Sequence, residues 1–298
     1  MSASIVRVDT YTNELIDPQA KIAATATKIC VVYDDSINGR LQVATSLDGG
    51  LTWSIVELTS SAIYGCAICV RGDVFHIVYT LDNGPNVDAY WIYSTESGWS
   101  TPVSVIANLS LAAGVGIASD GTFVDIVADE RYCRITGTTP GAEEDFSAIA
   151  WTQTPRIALI SGTPHVIFQD FDLEKLYYTY KDGTWQTPEL LSTNFFHQGD
   201  IINLAGTLRL LYARNTGPTQ IVYREKVPPA AWGAESVLDT TQLNTDAVSL
   251  SGVGNTVLKA WSKLSNSTNR QLYYSIGEGN VLIPSTDITK DQNPAALI

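Results

Sequence analysis

Acidic, amide and basic side chains recur just after apolar runs: Asp34, Asp35 and Arg40; Asp82 and Asp88, with Asn83 and Asn86; Asp129; Asp170 and Asp172; and Arg214. Carboxylates and amides can hydrogen-bond pairs of hydroxyl groups, and two carboxylates can also divide the work of an acid and a base or nucleophile. Aromatic residues stand nearby in the chain, Tyr64, Phe171, Phe195 and Phe196, and such rings pack on the apolar face of a polyol. The competing reading of any one of these residues is structural, because Asp and Asn form turns wherever strands reverse. Metal chemistry is not indicated. Cys30, Cys66, Cys69 and Cys133 have apolar neighbours, and the CxxC spacing of Cys66 and Cys69 puts the pair on opposite faces of a strand. The only histidines are His76, His165 and His197, so buried free thiols and no cofactor are expected.

The elements that must position these residues repeat. Cys30–Asp34, His76–Thr80, Val124–Ala128, His165–Gln169, Arg209–Ala213 and Leu258–Ser262 share one apolar pattern. Taking Tyr33, Tyr79, Val127, Phe168, Tyr212 and Trp261 as equivalent gives spacings of 46, 48, 41, 44 and 49 residues. That is the length of a four-stranded unit, about 40 to 50 residues. Units open on small apolar strands such as Lys21–Thr25, Ala67–Val70, Gly116–Ser119 and Arg156–Ile160, and continue into aromatic-rich ones such as Tyr90–Tyr93, Leu176–Thr179 and Leu272–Ser275. Six units fall near 19–58, 62–106, 112–150, 154–191, 199–238 and 246–283, which makes residues 1–298 one domain. No linker tract or capped helical stretch interrupts them. The segment 5–10 is expected to supply an outer strand to the last unit, with the tail from Ile288 as the competing candidate.

The most specific motif is structural. Ser46-Leu47-Asp48-Gly49-Gly50-Leu51-Thr52-Trp53 reads S-x-D-x-G-x-T-W: Asp and Gly suit a tight turn, the short carboxylate can accept backbone N–H groups, and Trp53 packs beside it. Shorter echoes end at Trp99, Trp185 and Trp232. The full copy, at Ser46, Asp48, Gly50 and Trp53, resembles the Asp-box of the sialidase-like (BNR-repeat) superfamily. That resemblance implies an all-β fold, a six-bladed β-propeller of four-stranded antiparallel blades, with the loops after each second strand gathered at one mouth. The acidic and basic residues above would line that mouth. For a sialidase, the resemblance further implies an arginine triad for a substrate carboxylate, a Tyr nucleophile activated by Glu, and an Asp acid/base. The first Arg of that triad belongs to an R-I-P motif, but this chain has Ile16-Asp17-Pro18, with Ile16 in the Arg place. A guanidinium fork has no apolar substitute. Arg40, Arg71, Arg131, Arg156, Arg214 and Arg270 form no evident replacement triad, Asp34 or Asp35 are the candidates for the acid, and Tyr33 and Tyr212 look like packed strand residues. In blade number and in hairpins such as Gly183-Thr184-Trp185, the chain also resembles fucose-binding six-bladed lectins.

Composition narrows the partners. With a net charge of −13, the surface repels nucleic acid and anionic membranes, and no apolar run is long enough to span a bilayer. Met1–Ile5 lacks the features of a secretory signal, so cytoplasmic synthesis followed by display on a virion or extracellular surface is expected. The sequence thus favours a non-catalytic module that binds a glycan or a protein surface, on a phage or other virion or on a cell, oligomeric or within a larger assembly. A sialidase-like glycoside hydrolase is the alternative. A structural assembly protein is the third reading, and it would show apolar rim residues in place of a polar cleft.

Overall fold

The computed structural model describes residues 21–35, 40–60, 63–84, 86–109, 114–149, 152–170, 172–241, 248–253, 256–264, 270–276 and 283–284; at some strand positions, among them 34, 35, 64 and 195–198, only the backbone is described. The regular structure of these residues is entirely extended, in six antiparallel sheets. Sheet 1 is β1 (Ile22–Ala24), β2 (Ile29–Asp35), β3 (Arg40–Ser46) and β4 (Ser54–Thr59). Sheet 2 is β5 (Ile63–Arg71), β6 (Val74–Asp82), β7 (Val87–Thr95), β8 (Gly98–Trp99) and β9 (Val103–Leu109). Sheet 3 is β10 (Val115–Ser119), β11 (Phe123–Ala128), β12 (Arg131–Thr136), β13 (Thr139–Pro140) and β14 (Glu144–Asp145). Sheet 4 is β15 (Thr152–Ile160), β16 (Thr163–Asp170), β17 (Lys175–Asp182), β18 (Thr184–Trp185) and β19 (Glu189–Ser192). Sheet 5 is β20 (Phe195–Leu204), β21 (Thr207–Asn215), β22 (Thr219–Lys226) and β23 (Ser236–Thr241), and sheet 6 is β24 (Val248–Val253), β25 (Thr256–Leu264), β26 (Arg270–Ile276) and β27 (Ile283–Pro284).

Sheets 2, 3 and 4 each have a fifth strand because their outer strand is broken in two: β8 and β9 both pair with β7, β13 and β14 with β12, and β18 and β19 with β17. Pro102 and Pro188 sit in two of the breaks, where a residue without an N–H cannot continue the ladder.

The chain divides into two compact units, the first running through Asp145 with sheets 1–3 and the second beginning at Phe146 with sheets 4–6. In the first unit β5 adjoins β1 and β10; in the second β20 adjoins β15 and β24. Side chains alternate between the two faces of a strand, so sheet 2 and sheet 5 each feed two cores. Val32 and Val43 meet Ile68 and Ile77 between sheets 1 and 2, and Val78 and Trp91 meet Val124 and Ile126 between sheets 2 and 3. Ile167 and Tyr178 meet Leu208 and Leu210 between sheets 4 and 5, and Leu211 and Tyr223 meet Val248 and Trp261 between sheets 5 and 6. Full burial of one such side chain contributes about 1.5–3 kcal/mol, which explains why the second strands are mostly apolar. Cys66 lies in the core shared with sheet 1 and Cys69 packs against the core shared with sheet 3, as the alternation requires.

These cores correct one equivalence. Tyr79 and Tyr212 face the preceding sheet, and in sheet 3 the residue doing so is Ala128, not Val127. A slip of one residue exchanges the two faces of a strand, and Ala128 is too small to stand out among aromatic equivalents.

The turn from Ser46 to Trp53 joins β3 to β4. Asp48 Oδ1 accepts the backbone N–H of Leu51 (3.0 Å) and Thr52 (2.9 Å) and the Ser46 hydroxyl (2.8 Å), while Oδ2 accepts the Thr52 hydroxyl (2.6 Å). Ser46 Oγ in turn accepts Gly50 N–H at 2.8 Å, and Trp53 Nε1 donates to Gly50 O at 3.1 Å. Gly50 adopts φ +92°, a left-handed conformation that a side chain would strain. The hydrogen bonds from Thr52, then Ser46, lower the Asp48 carboxyl to about 2. Both carboxylate oxygens of Asp48 accept hydrogen bonds from within the turn, so its role is structural. The 5–10 and Ile288–Ile298 candidates for an outer strand lie outside the described residues, as does the Ile16–Pro18 stretch.

Candidate functional site

A polar side chain recurs inside five sheets, on the second strand near its hairpin with the first: Cys30, His76, Asp125, His165 and Arg209. All are buried. Directly across the ladder on the third strand stand Thr45, Tyr93, Arg134, Tyr180 and Glu225. Directly opposite residues share one face of a sheet, so each pair is a local unit. Cys30 Sγ lies 3.5 Å from Thr45 Oγ1. His76 Nδ1 accepts the Trp91 indole N–H at 3.2 Å, and the two rings stack. Asp125 takes a fork from Arg134, Nε to Oδ1 at 2.8 Å and Nη2 to Oδ2 at 2.6 Å. His165 Nδ1 is 2.8 Å from Tyr178 Oη and stacks on Tyr180, and Arg209 donates to Tyr223 Oη (2.9 Å) and to Glu225. Burial lowers both histidines to about 4, with help from Arg71 at His76 and Lys226 at His165, so both are neutral at pH 7.

What lies in front of these pairs differs from one interface to the next. Between sheets 1 and 2, Cys30 and Thr45 are short, and a groove of about 540 Å³ opens beside them. Lys28, Val56 and Glu57 of sheet 1 form one wall; Phe75, Ile92, Ser94, Glu96, Trp99 and Ser100 of sheet 2 form the other. Ser94 Oγ accepts Phe75 N–H (2.9 Å) and Ser100 Oγ accepts Tyr93 N–H (3.0 Å), so both hydroxyl oxygens are fixed while their protons remain to be donated. Glu57 is held from the solvent side by Arg40 at 2.8 Å. The groove therefore combines an indole, fixed hydroxyl donors, two carboxylate acceptors and an ammonium group.

The equivalent space between sheets 4 and 5 is occupied. Lys226 of β22, itself buried, places Nζ 4.9 Å from the centre of the Tyr178 ring and 5.7 Å from that of Trp232, with Glu189 at 3.8 Å. Trp232 meets Tyr178 edge-on at 5.2 Å. Burial pushes the Lys226 ammonium below the ordinary lysine value, against the pull of Glu189. Between sheets 5 and 6, Lys259 plays a similar part, with Nζ 4.3 Å over the Tyr223 ring.

The residues singled out in the sequence are distributed over both units. The Asp34 and Asp35 backbones pair with Leu41 and Arg40, and their side chains are outside the described set. Arg40 is exposed and bound to Glu57. Asp82 Oδ1 accepts Gly84 N–H at 2.7 Å; Asp88 is pinned by Asn83 Nδ2 (2.8 Å) and Asn108 N–H (2.9 Å). Asp129 holds the β11–β12 turn at φ +49°, buried Asp170 accepts Leu173 N–H at 3.2 Å, and Asp172 is exposed. Arg214 binds Glu235 at 2.6 Å and lines a smaller cleft. Asp82, Asp88 and Asp170 thus stabilise the loops that carry them. Tyr212 donates its hydroxyl to Glu235 at 2.7 Å, a Tyr–Glu pair, but its ring is fully buried and burial, then Glu235, pushes its ionisation upward, the wrong direction for a nucleophile.

The groove between sheets 1 and 2 was missed in the sequence. Its signal was present: a residue three before the repeat aromatic, Cys30, His76, His165 or Arg209, interrupts the apolar run with a polar or sulfur-bearing side chain. Whether the space in front of it is open or filled depends on the size of its third-strand partner and on residues of the neighbouring sheet.

No family model and no curated protein matches the chain. Solved structures do. The BP39L lectin of Burkholderia pseudomallei aligns over 89% of this chain and 83% of its own at 13% identity, TM-score 0.64. The Aleuria aurantia lectin, a six-bladed β-propeller with a fucose recognition mode, aligns over 88% and 94% at 14% identity, TM-score 0.54. A Trypanosoma rangeli sialidase aligns over 88% of this chain and 54% of its own at 10% identity, TM-score 0.54. At these identities the likeness shows the fold alone: an all-β, six-bladed β-propeller.

Proposed function

We propose that the chain is a non-catalytic glycan-recognition module and that the groove between sheets 1 and 2 takes the sugar. The observation that carries this reading is the pairing of the Trp99 ring with fixed hydroxyl donors at Ser94 and Ser100 and acceptors at Glu57 and Glu96 in one open groove. A sugar ring has an apolar face and an equator of hydroxyls, and this lining matches both. Likeness in fold to two lectins, one of them described by its fucose recognition, supports the same class of ligand. A neutral sugar fits better than an acidic one, since the two carboxylates outnumber Lys28. Within this reading the Ser46–Trp53 turn is an Asp-box serving as a structural staple, and the working setting is a virion or cell surface.

A glycan array followed by calorimetry tests this. Neutral oligosaccharides should bind and be released unaltered, and Trp99→Ala should weaken binding at least tenfold with little change in folding, since losing a central aromatic anchor costs about 2 kcal/mol or more. Cleavage of a terminal residue, or undiminished binding by Trp99→Ala, would contradict it. An assembly role is the second reading, favoured by Leu47, Leu51, Ile55 and Val56, which are all exposed on or beside β4. It predicts concentration-dependent self-association that Leu47→Ser with Leu51→Ser removes.

A further inference from the structure

Arg214 occupies a second concavity in the second unit, at the end of β21 remote from Lys226. Leu190, Leu191 and Ser192 of β19, with Thr193 and Asn194, form one side, and Arg214 and Thr216 the other; the cleft measures about 250 Å³. The guanidinium is held on two sides, Nη1 donating to Glu235 Oε2 at 2.6 Å and Nε to Gln220 Oε1 at 3.0 Å. Glu235 is itself fixed by the Tyr212 hydroxyl at 2.7 Å. Burial opposes its ionisation, but the hydrogen bonds from Tyr212 and Arg214 prevail and keep its carboxyl below the ordinary value. A guanidinium has five N–H groups, and two are used here, leaving three on Nη1 and Nη2.

A partly exposed ion pair adds little stability, about 0–1 kcal/mol, so stability alone gives no reason to fix an arginine through two partners, one of them itself fixed by Tyr212. Orienting a binding group does give one, because rotamers locked by a second layer of hydrogen bonds are what recognition requires. The lining includes Arg214, the hydroxyl-bearing Ser192, Thr193 and Thr216, Asn194 and two leucines; among the described residues no carboxylate lines it, and Glu235 holds the guanidinium from beside the cleft. We propose that this cleft is a binding site for a carboxylate group on a small ligand. The free edge of Arg214 would take the two carboxylate oxygens as a fork, and Leu190 and Leu191 would cover the carbon skeleton. The carboxylate could belong to a sugar acid or to the end of a peptide. The proposal does not depend on the groove of sheets 1 and 2.

The full chain is titrated by NMR or calorimetry with D-glucuronate, N-acetylglycine and D-glucose. Binding of either acid that depends on Arg214 and is weakened by added salt is expected, with any binding of glucose independent of Arg214, and the preferred acid identifies the source. Arg214→Gln should abolish binding. Arg214→Lys, which keeps charge and loses the fork, should weaken it at least tenfold, whereas Trp99→Ala should leave it unchanged. Glucose binding as tight as that of glucuronate and likewise abolished by Arg214→Gln, no binding of either acid, or Arg214→Lys matching the parent chain would overturn the proposal.

Discussion

The interfaces between sheets 1 and 2 and between sheets 4 and 5 are built on the same plan and end differently. In each, a second-strand residue and its third-strand opposite face the next sheet, Cys30 with Thr45 in one and His165 with Tyr180 in the other. In each, the next sheet brings a tryptophan, Trp99 or Trp232. Short side chains leave the first open. Two rings and the Lys226 stem fill the second, and the Lys226 ammonium sits between Tyr178 and Trp232 where a ligand cation or sugar face would otherwise rest. Site or plug is therefore decided by side-chain volume at a few positions.

Exchanging those positions should exchange the outcomes. The largest effect is expected from Thr45→Tyr, which imports the sheet 4 ring into the groove: sugar binding should be lost, more than a hundredfold by calorimetry, with folding retained. Unchanged affinity would place the sugar elsewhere. Lys226→Ala runs the exchange the other way. Loss of its buried stem should cost about 1–3 kcal/mol in denaturant unfolding, and the opened space should add one sugar per chain; unaltered stoichiometry would show that Trp232 and Tyr178 collapse into it.

The two interfaces should also differ in their response to acid. His165 is lowered to about 4 from an ordinary 6.5, so the unfolded chain binds its proton more readily and stability falls as pH drops from about 6.5 toward 4. The full shift corresponds to roughly 3 kcal/mol at most. Asp200 works in the opposite sense: burial raises it to about 6, so the folded chain gains stability as pH falls from 6 toward 3.8. The informative quantity is the difference between the parent chain and His165→Gln, which should lose less stability between pH 6.5 and 4.5. Cys30→Ser, at the same position in the open interface, should leave the slope unaltered. Asp48→Asn should have the smallest effect, a local loosening of the Ser46–Trp53 turn with sugar affinity unchanged.

Much of this fold was legible in the sequence, because period-2 patterning and the tryptophan hairpins report directly on strands and turns. The Ser46–Trp53 turn depends only on residues within it, and it formed as its chemistry dictates. The slip at Val127 arose where a small residue, Ala128, fills a place that aromatics take elsewhere. Composition draws attention to the acidic loops, yet Asp82, Asp88 and Asp170 bind their own backbone neighbours or adjoining side chains. The groove depends on Trp99 standing opposite Cys30 across two sheets, a juxtaposition of residues far apart in sequence that no local pattern encodes.

A crystal structure of the chain with the strongest-binding neutral sugar from the array tests the central claim most directly. A sugar ring packed on Trp99, with hydroxyls reaching Ser94, Ser100 and Glu96, is the predicted result. A sugar bound instead among the loops at Asp82 and Asp88, or displacing Lys226 from Tyr178 and Trp232, would contradict the distinction drawn between the open interface and the filled one.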